Sequence, residues 1–164
     1  MVELDDVDRG ILHELQVEAR KKTAQEIADT VGVSASTVRN RIDHLEDEGV
    51  IEGYHPKISY EKANFPLQIL FVCTADPTER SEMVEKVLGI QGVIDVREML
   101  TGRRNIYVEV IGTSTVDITR ITDAIHALDL SIESSEIMSQ RRVQPFNHFH
   151  LNPDHASEAE QSDE

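Results

Sequence analysis

The chain has 164 residues, 39% of them hydrophobic, which is enough to bury a core in one domain or two small ones and argues against a disordered protein. No apolar run approaches the ~18 residues a membrane helix needs. The acidic opening "MVELDDVDRG" lacks the apolar segment of a secretory signal, the single Cys73 excludes an intrachain disulfide, and a formal net charge of −15 argues against general affinity for nucleic acid. These features predict a cytoplasmic protein without membrane contact.

Residues 5–19 predict a helix, with Val7, Ile11, Leu12 and Leu15 at helical spacing and Asp5, Asp6 and Asp8 suited to its first turn. After the basic run at 20–22, Thr23 and Glu26 form a capping box for a short helix over 24–31. Gly32 stops that helix, and Ser34 stands where the N-cap of a third belongs. This third helix, 35–48, carries Val38, Ile42 and Leu45 on one face and ends at Gly49. Helix, short helix, glycine-containing turn and helix make a helix-turn-helix. The alternating "VIEGYHPKI" predicts a strand pair or wing, which Pro56 breaks.

The second half changes rhythm. "LQILFVCTA" at 67–75 predicts a buried strand, and "PTERSEMVEKVLGI" a helix opened by Pro77, with Met83, Val84, Val87 and Leu88 inward. "GVIDVREML", the turn "TGRRN" and "IYVEVIG" predict two strands joined by a hairpin turn. A helix over 114–128 and a last strand over 131–143 complete a βαββαβ order, the ferredoxin-like arrangement. The expected class is α+β, with four segments: a winged helix-turn-helix at 1–54, a connection at 55–66, a βαββαβ domain at 67–146 and an acidic, disordered tail at 147–164.

One window breaks the acidic pattern. Residues 30–42 contain two arginines and no Asp or Glu, in a chain with 31 acidic and 16 basic side chains. At 100° per residue, with Val38 inward, Ser36 and Asn40 point outward, and Thr37, Arg39 and Arg41 lie on the flanks. Arginine can pair with guanine, asparagine with adenine, and Ser and Thr with several base edges. A carboxylate here would face phosphates, so clearing acid from the window is what docking on duplex DNA requires. Ser34, Ser36, Thr37, Arg39, Asn40 and Arg41 are the candidate DNA contacts, with Lys21, Lys22 and Lys57 as candidate phosphate contacts. Residues 1–60 nevertheless hold 13 acids and 7 bases, so binding must rest on local potential and direct readout.

At this point residues 4–58 resemble the N-terminal domain of the leucine-responsive regulators, the Lrp/AsnC or feast/famine family. The likeness lies in "LDDVDRGILHELQ", in "AQEIADTVGVSASTVRNRIDHLEDEGVIEGY" and in the βαββαβ order that follows. It implies a transcription regulator that binds double-stranded DNA as a homodimer and assembles into tetramers, octamers or larger particles. It also implies small effectors, often amino acids, held near the turn between the second and third strands. In this sequence that turn reads Thr101-Gly102-Arg103-Arg104-Asn105, with Asn105 where the family commonly has an Asp. Two arginines and a glycine turn suit an anionic metabolite, whereas a hairpin with solvated arginines needs no ligand. High acidity with only five lysines also resembles proteins of salt-accumulating halophiles.

Cys73 in an apolar strand predicts a buried structural thiol. His148, His150 and His155 lack the spacing of a metal site, so no metal and no cofactor is expected. No nucleophile–base set, phosphate loop or HExxH is present, so no enzymatic activity is expected. Two alternatives to a sequence-specific regulator are an architectural DNA-organising protein and a metabolite sensor that does not bind DNA.

Overall fold

Side chains that bond back onto the main chain begin each of the first three helices in the computed structural model, which describes residues 2–149. In α1 (Asp6–Glu18) the Asp5 carboxylate accepts from the Asp8 N–H at 2.8 Å, and Asp8 accepts from the Asp5 N–H at 3.2 Å. In α2 (Ala24–Val31) Thr23 and Glu26 make the same reciprocal box, and Gly32 ends the helix at φ +75°, a left-handed conformation that favours glycine. In α3 (Ala35–Asp47) the Ser34 hydroxyl accepts from the Thr37 N–H at 3.1 Å. The three helices share one core of Ile11, Leu12, Ile27, Ala28, Val38 and Leu45.

The segment expected to form a strand pair or wing contains no strand: residues 50 and 51 bend back onto the end of α3, and 52–58 join no ladder. Pro56 has no N–H to give, and the Tyr54 hydroxyl donates to Glu46 at 2.7 Å, tying this stretch to α3. The Tyr54 phenol is pushed up to about 12, chiefly by burial and then by Glu46.

The second set of elements is β1 (Leu67–Thr74), α4 (Arg80–Leu88), β2 (Val93–Glu98), β3 (Ile106–Gly112), α5 (Thr115–His126) and β4 (Ser131–Ile137). The strands form one antiparallel sheet in the order β2-β3-β1-β4. Ile69 lies opposite Val110, Phe71 opposite Val108 and Cys73 opposite Ile106. With period-2 alternation these residues share one sheet face, where they pack with Met83, Val87, Ile121 and Ile125 of the two helices. α4 starts three residues after Pro77, because Asp76 accepts from the Thr78 N–H at 2.8 Å and holds the chain in a turn. The fold is thus α+β, a winged-type helix-turn-helix followed by βαββαβ.

The chain divides into two compact units, Met1–Pro56 with the segment from Arg142 onward, and Lys57–Arg141. In the first unit Asn147–Phe149 form a 3-10 turn. Phe149 packs against the helical core, the Phe146 N–H donates to Gln16 at 3.1 Å, and the two rings meet edge-on with centroids 5.0 Å apart. Aromatic packing therefore accompanies a turn at the first three residues of the expected tail, and its remainder, 150–164, lies outside the described residues. Among the described residues no helix is long and apolar enough to cross a membrane.

The capping carboxylates make stability depend on pH. Burial alone would raise Asp5, but the Asp8 N–H and the Arg41 charge outweigh it and hold it below its ordinary value. The Thr23 N–H and hydroxyl lower Glu26, and the Thr113 hydroxyl and N–H lower Asp117. A carboxylate depressed in the folded state stabilises it above its unfolded pKa, and that contribution is lost as pH falls through the folded value. The melting temperature should therefore hold between neutrality and about pH 5 and fall below about pH 4, as read by circular dichroism.

Candidate nucleic-acid interface

The inward face of α3 is locked by Val38 and Leu45, both fully buried, and this decides what its outer face presents. Ser34, Ser36, Arg39 and Asn40 are exposed, and Thr37 is half-buried. The Ser34 hydroxyl stands 2.8 Å from both the Ser36 and Thr37 hydroxyls, so three donor–acceptor groups cluster at the start of the helix. No acid occupies the first turn, leaving the positive end of the helix dipole uncompensated. Among the described residues the Arg39 and Asn40 side chains have no hydrogen-bond or ion-pair partner, so both are available to a ligand.

Three of the other candidates are placed differently. Arg41 turns toward α1, with its guanidinium 2.9 Å from Asp5 and 3.3 Å from Asp8. Its flank position on the helical wheel was legible, but the acidic capping pair within its reach was not. Lys22 is paired with Glu14 on α1, so its charge is already used. Lys57 is exposed but belongs to the second unit, whereas Lys21 is exposed in the unit that carries α3.

The turn between β2 and β3 borders an open cleft of about 600 Å³, lined by Met99, Leu100, Thr101, Gly102, Arg103, Arg104, Tyr107 and Glu133. Gly102 sits at φ +96°, which explains a glycine there. Arg103 lies 3.9 Å from Glu133 of β4, so the cleft offers both signs of charge. Glu133 escapes sequence reasoning because it lies about thirty residues from the turn and only strand order brings it near.

Asn105 is not part of that lining. It is buried, its amide donates to the Ala75 carbonyl at 2.9 Å, and its side-chain oxygen accepts from the Ala75 N–H at 2.9 Å. Its backbone N–H donates to Cys73 and its carbonyl accepts from Met99. The residue closes the end of β1 onto the start of β3, where two backbone groups would otherwise lack partners. This corrects its assignment to the effector set.

Cys73 is fully buried, and burial, helped by the Glu133 charge, pushes its thiol up to about 11. In the folded protein it should resist thiol–disulfide reagents at mildly alkaline pH and react once denaturant is added; a rapid native reaction would contradict the burial. Of the tail histidines, His148 lies in the 3-10 turn, and His150 and His155 are outside the described residues. Among the described residues no three His, Cys, Asp or Glu side chains are grouped to hold a metal.

Residues 4–52 match the family model described as winged helix-turn-helix DNA-binding. An HTH-type transcriptional regulator of Pyrococcus furiosus is 31% identical over 128 residues, covering 78% of this chain and 85% of the relative. Among solved structures, E. coli AsnC is similar with a TM-score of 0.68 and 23% identity, covering 88% of this chain and 98% of its own. A feast or famine regulatory protein of M. tuberculosis, solved with L-methionine, has a TM-score of 0.75 and 24% identity, covering 87% and 96%.

Proposed function

The chain belongs to the HTH-type transcriptional regulators and has the Lrp/AsnC fold, and from that premise we propose a sequence-specific DNA-binding regulator that reads the major groove with the N-terminal half of α3. The reading rests on the outer face of α3, where Ser36, Thr37, Arg39 and Asn40 project from an acid-free window and the last two have no partner among the described residues. Lys21 and the Ser34 cluster would meet phosphates beside it. The βαββαβ unit would join two copies sheet to sheet, and tetramers or octamers would follow from further pairing. A two-fold dimer requires a pseudo-palindromic operator with half-sites about one helical turn, or a multiple, apart. The site of action is the cytoplasm.

The test is fluorescence anisotropy of the full-length protein in near-molar KCl. Its probes are a duplex enriched by the protein from a random library and a scrambled duplex of the same composition. Specific binding is expected, with Arg39→Ala or Asn40→Ala each costing about 1–3 kcal/mol and relaxing base choice at one position. Equal affinity for both duplexes would favour an architectural role, and no enrichment from the library would favour a sensor without DNA binding.

The β2–β3 cleft supports a second level of function. Arg103 and Arg104 can hold a carboxylate or phosphate, and Glu133 can accept from an ammonium group. An amino acid or a small anionic metabolite would fit, with Thr101 and Gly102 shaping the turn. L-Methionine, present in the M. tuberculosis relative, is the first ligand to titrate, with inorganic phosphate beside it.

A further inference from the structure

We infer that Arg41 is a positioning residue, which sets the rotation of the recognition helix through a clasp on the first turn of α1 and does not itself contact DNA. The inference rests on the reading of α3 as the DNA-facing helix and adds how that helix is held. Arg41 follows Arg39 by two residues, yet its guanidinium bridges Asp5 at 2.9 Å and Asp8 at 3.3 Å. These two carboxylates are also the reciprocal caps of α1. Asp8 is buried, with its side chain only 5% exposed, and its oxygens meet the Arg41 guanidinium and the Asp5 N–H.

Two carboxylates and one guanidinium leave the clasp with a net negative charge. A phosphate approaching Arg41 would meet both acids, so the group is poorly placed as a phosphate contact. Ile11 of α1 and Val38 and Leu45 of α3 also share one apolar core, and apolar contact is non-directional. A forked guanidinium on two fixed carboxylates is directional. At a helix radius of about 5–6 Å including side chains, a rotation of ~20° moves an outer side chain by about 2 Å, enough to lose a base-edge hydrogen bond. The clasp therefore supplies the register that Ser36, Arg39 and Asn40 need.

The test compares wild type, Arg41→Ala, Arg41→Lys and an Asp5→Asn/Asp8→Asn double variant on the library-selected duplex across a salt series. Asparagine retains a cap acceptor and removes the charges. Positioning predicts that all three variants lose about tenfold in affinity, comparable with one lost base contact, with the salt slope unchanged. The double variant is decisive in sign. Removing two negative charges would tighten binding by electrostatics alone, whereas loss of the clasp weakens it. Tighter binding by the double variant, recovery in Arg41→Lys, or a salt slope smaller by about one in Arg41→Ala would overturn the inference. Residual dipolar couplings on the DNA-free protein judge the clasp separately: a change in α1–α3 orientation in Arg41→Lys is expected, and none would sink it. If Arg39→Ala and Asn40→Ala leave DNA binding intact, the reading of α3 fails on its own account.

Discussion

Replacing Asn105 with alanine should lower the stability of the βαββαβ unit by about 3 kcal/mol. The Asn105 side chain satisfies both the N–H and the carbonyl of Ala75, each at 2.9 Å, and Ala75 is itself buried. Alanine removes both partners at once, and a buried polar group left without a partner costs about 1–3 kcal/mol. The transition assigned to this unit by calorimetry should fall by roughly 12–24 °C, at 4–8 °C per kcal/mol for a unit of this size. The Asn105→Asp variant adds a test of sign. Its carboxyl can still accept from the Ala75 N–H, but when ionised it faces the Ala75 carbonyl. Burial and that carbonyl would raise its folded pKa, so the defect should be largest at neutral pH and shrink as pH falls through the raised value. That is the reverse of the acid sensitivity expected of the native capping carboxylates. A variant as stable as wild type would mean that Asn105 does not close the strand end.

Leu45→Ala should be as damaging to the helical unit, costing about 3 kcal/mol within the 2–5 kcal/mol range of such truncations. Leu45 is completely buried, on the same α3 face as Val38. The unit has fewer than sixty residues before the returning segment, so its apolar core is small and one large side chain is a substantial share of it. The expected result is loss of helical signal at a lower temperature, with the sheet unit's transition little changed, and loss of specific DNA binding above the new midpoint. Arg39→Ala should behave oppositely, leaving the melt unchanged and weakening only binding. That contrast separates a residue that holds α3 in place from one that α3 presents.

How much was legible beforehand follows from the range of the interactions. The helix starts rest on Asp5–Asp8, Thr23–Glu26 and Ser34–Thr37, contacts that span three residues, and the core faces rest on periods of 3.6 and 2. Such patterns are complete within the sequence, so the three helices, the βαββαβ order and the acid-free N-terminal half of α3 could all be read there. The absence of a strand pair at 50–58 could not, because alternation alone does not supply the partner strand that a ladder requires. Distant partners were equally hidden. Arg41 finds Asp5 and Asp8 from more than thirty positions away, Lys22 finds Glu14 on the preceding helix, Asn105 reaches Ala75 across adjacent strands, and Glu133 meets Arg103 beside the hairpin turn. By itself the sequence determined which faces are apolar and which side chains α3 offers, because those depend on neighbours along the chain. Tertiary structure alone decided which charges and amides remain free for a ligand, because a long polar side chain is claimed by whatever partner folding brings within a few ångströms.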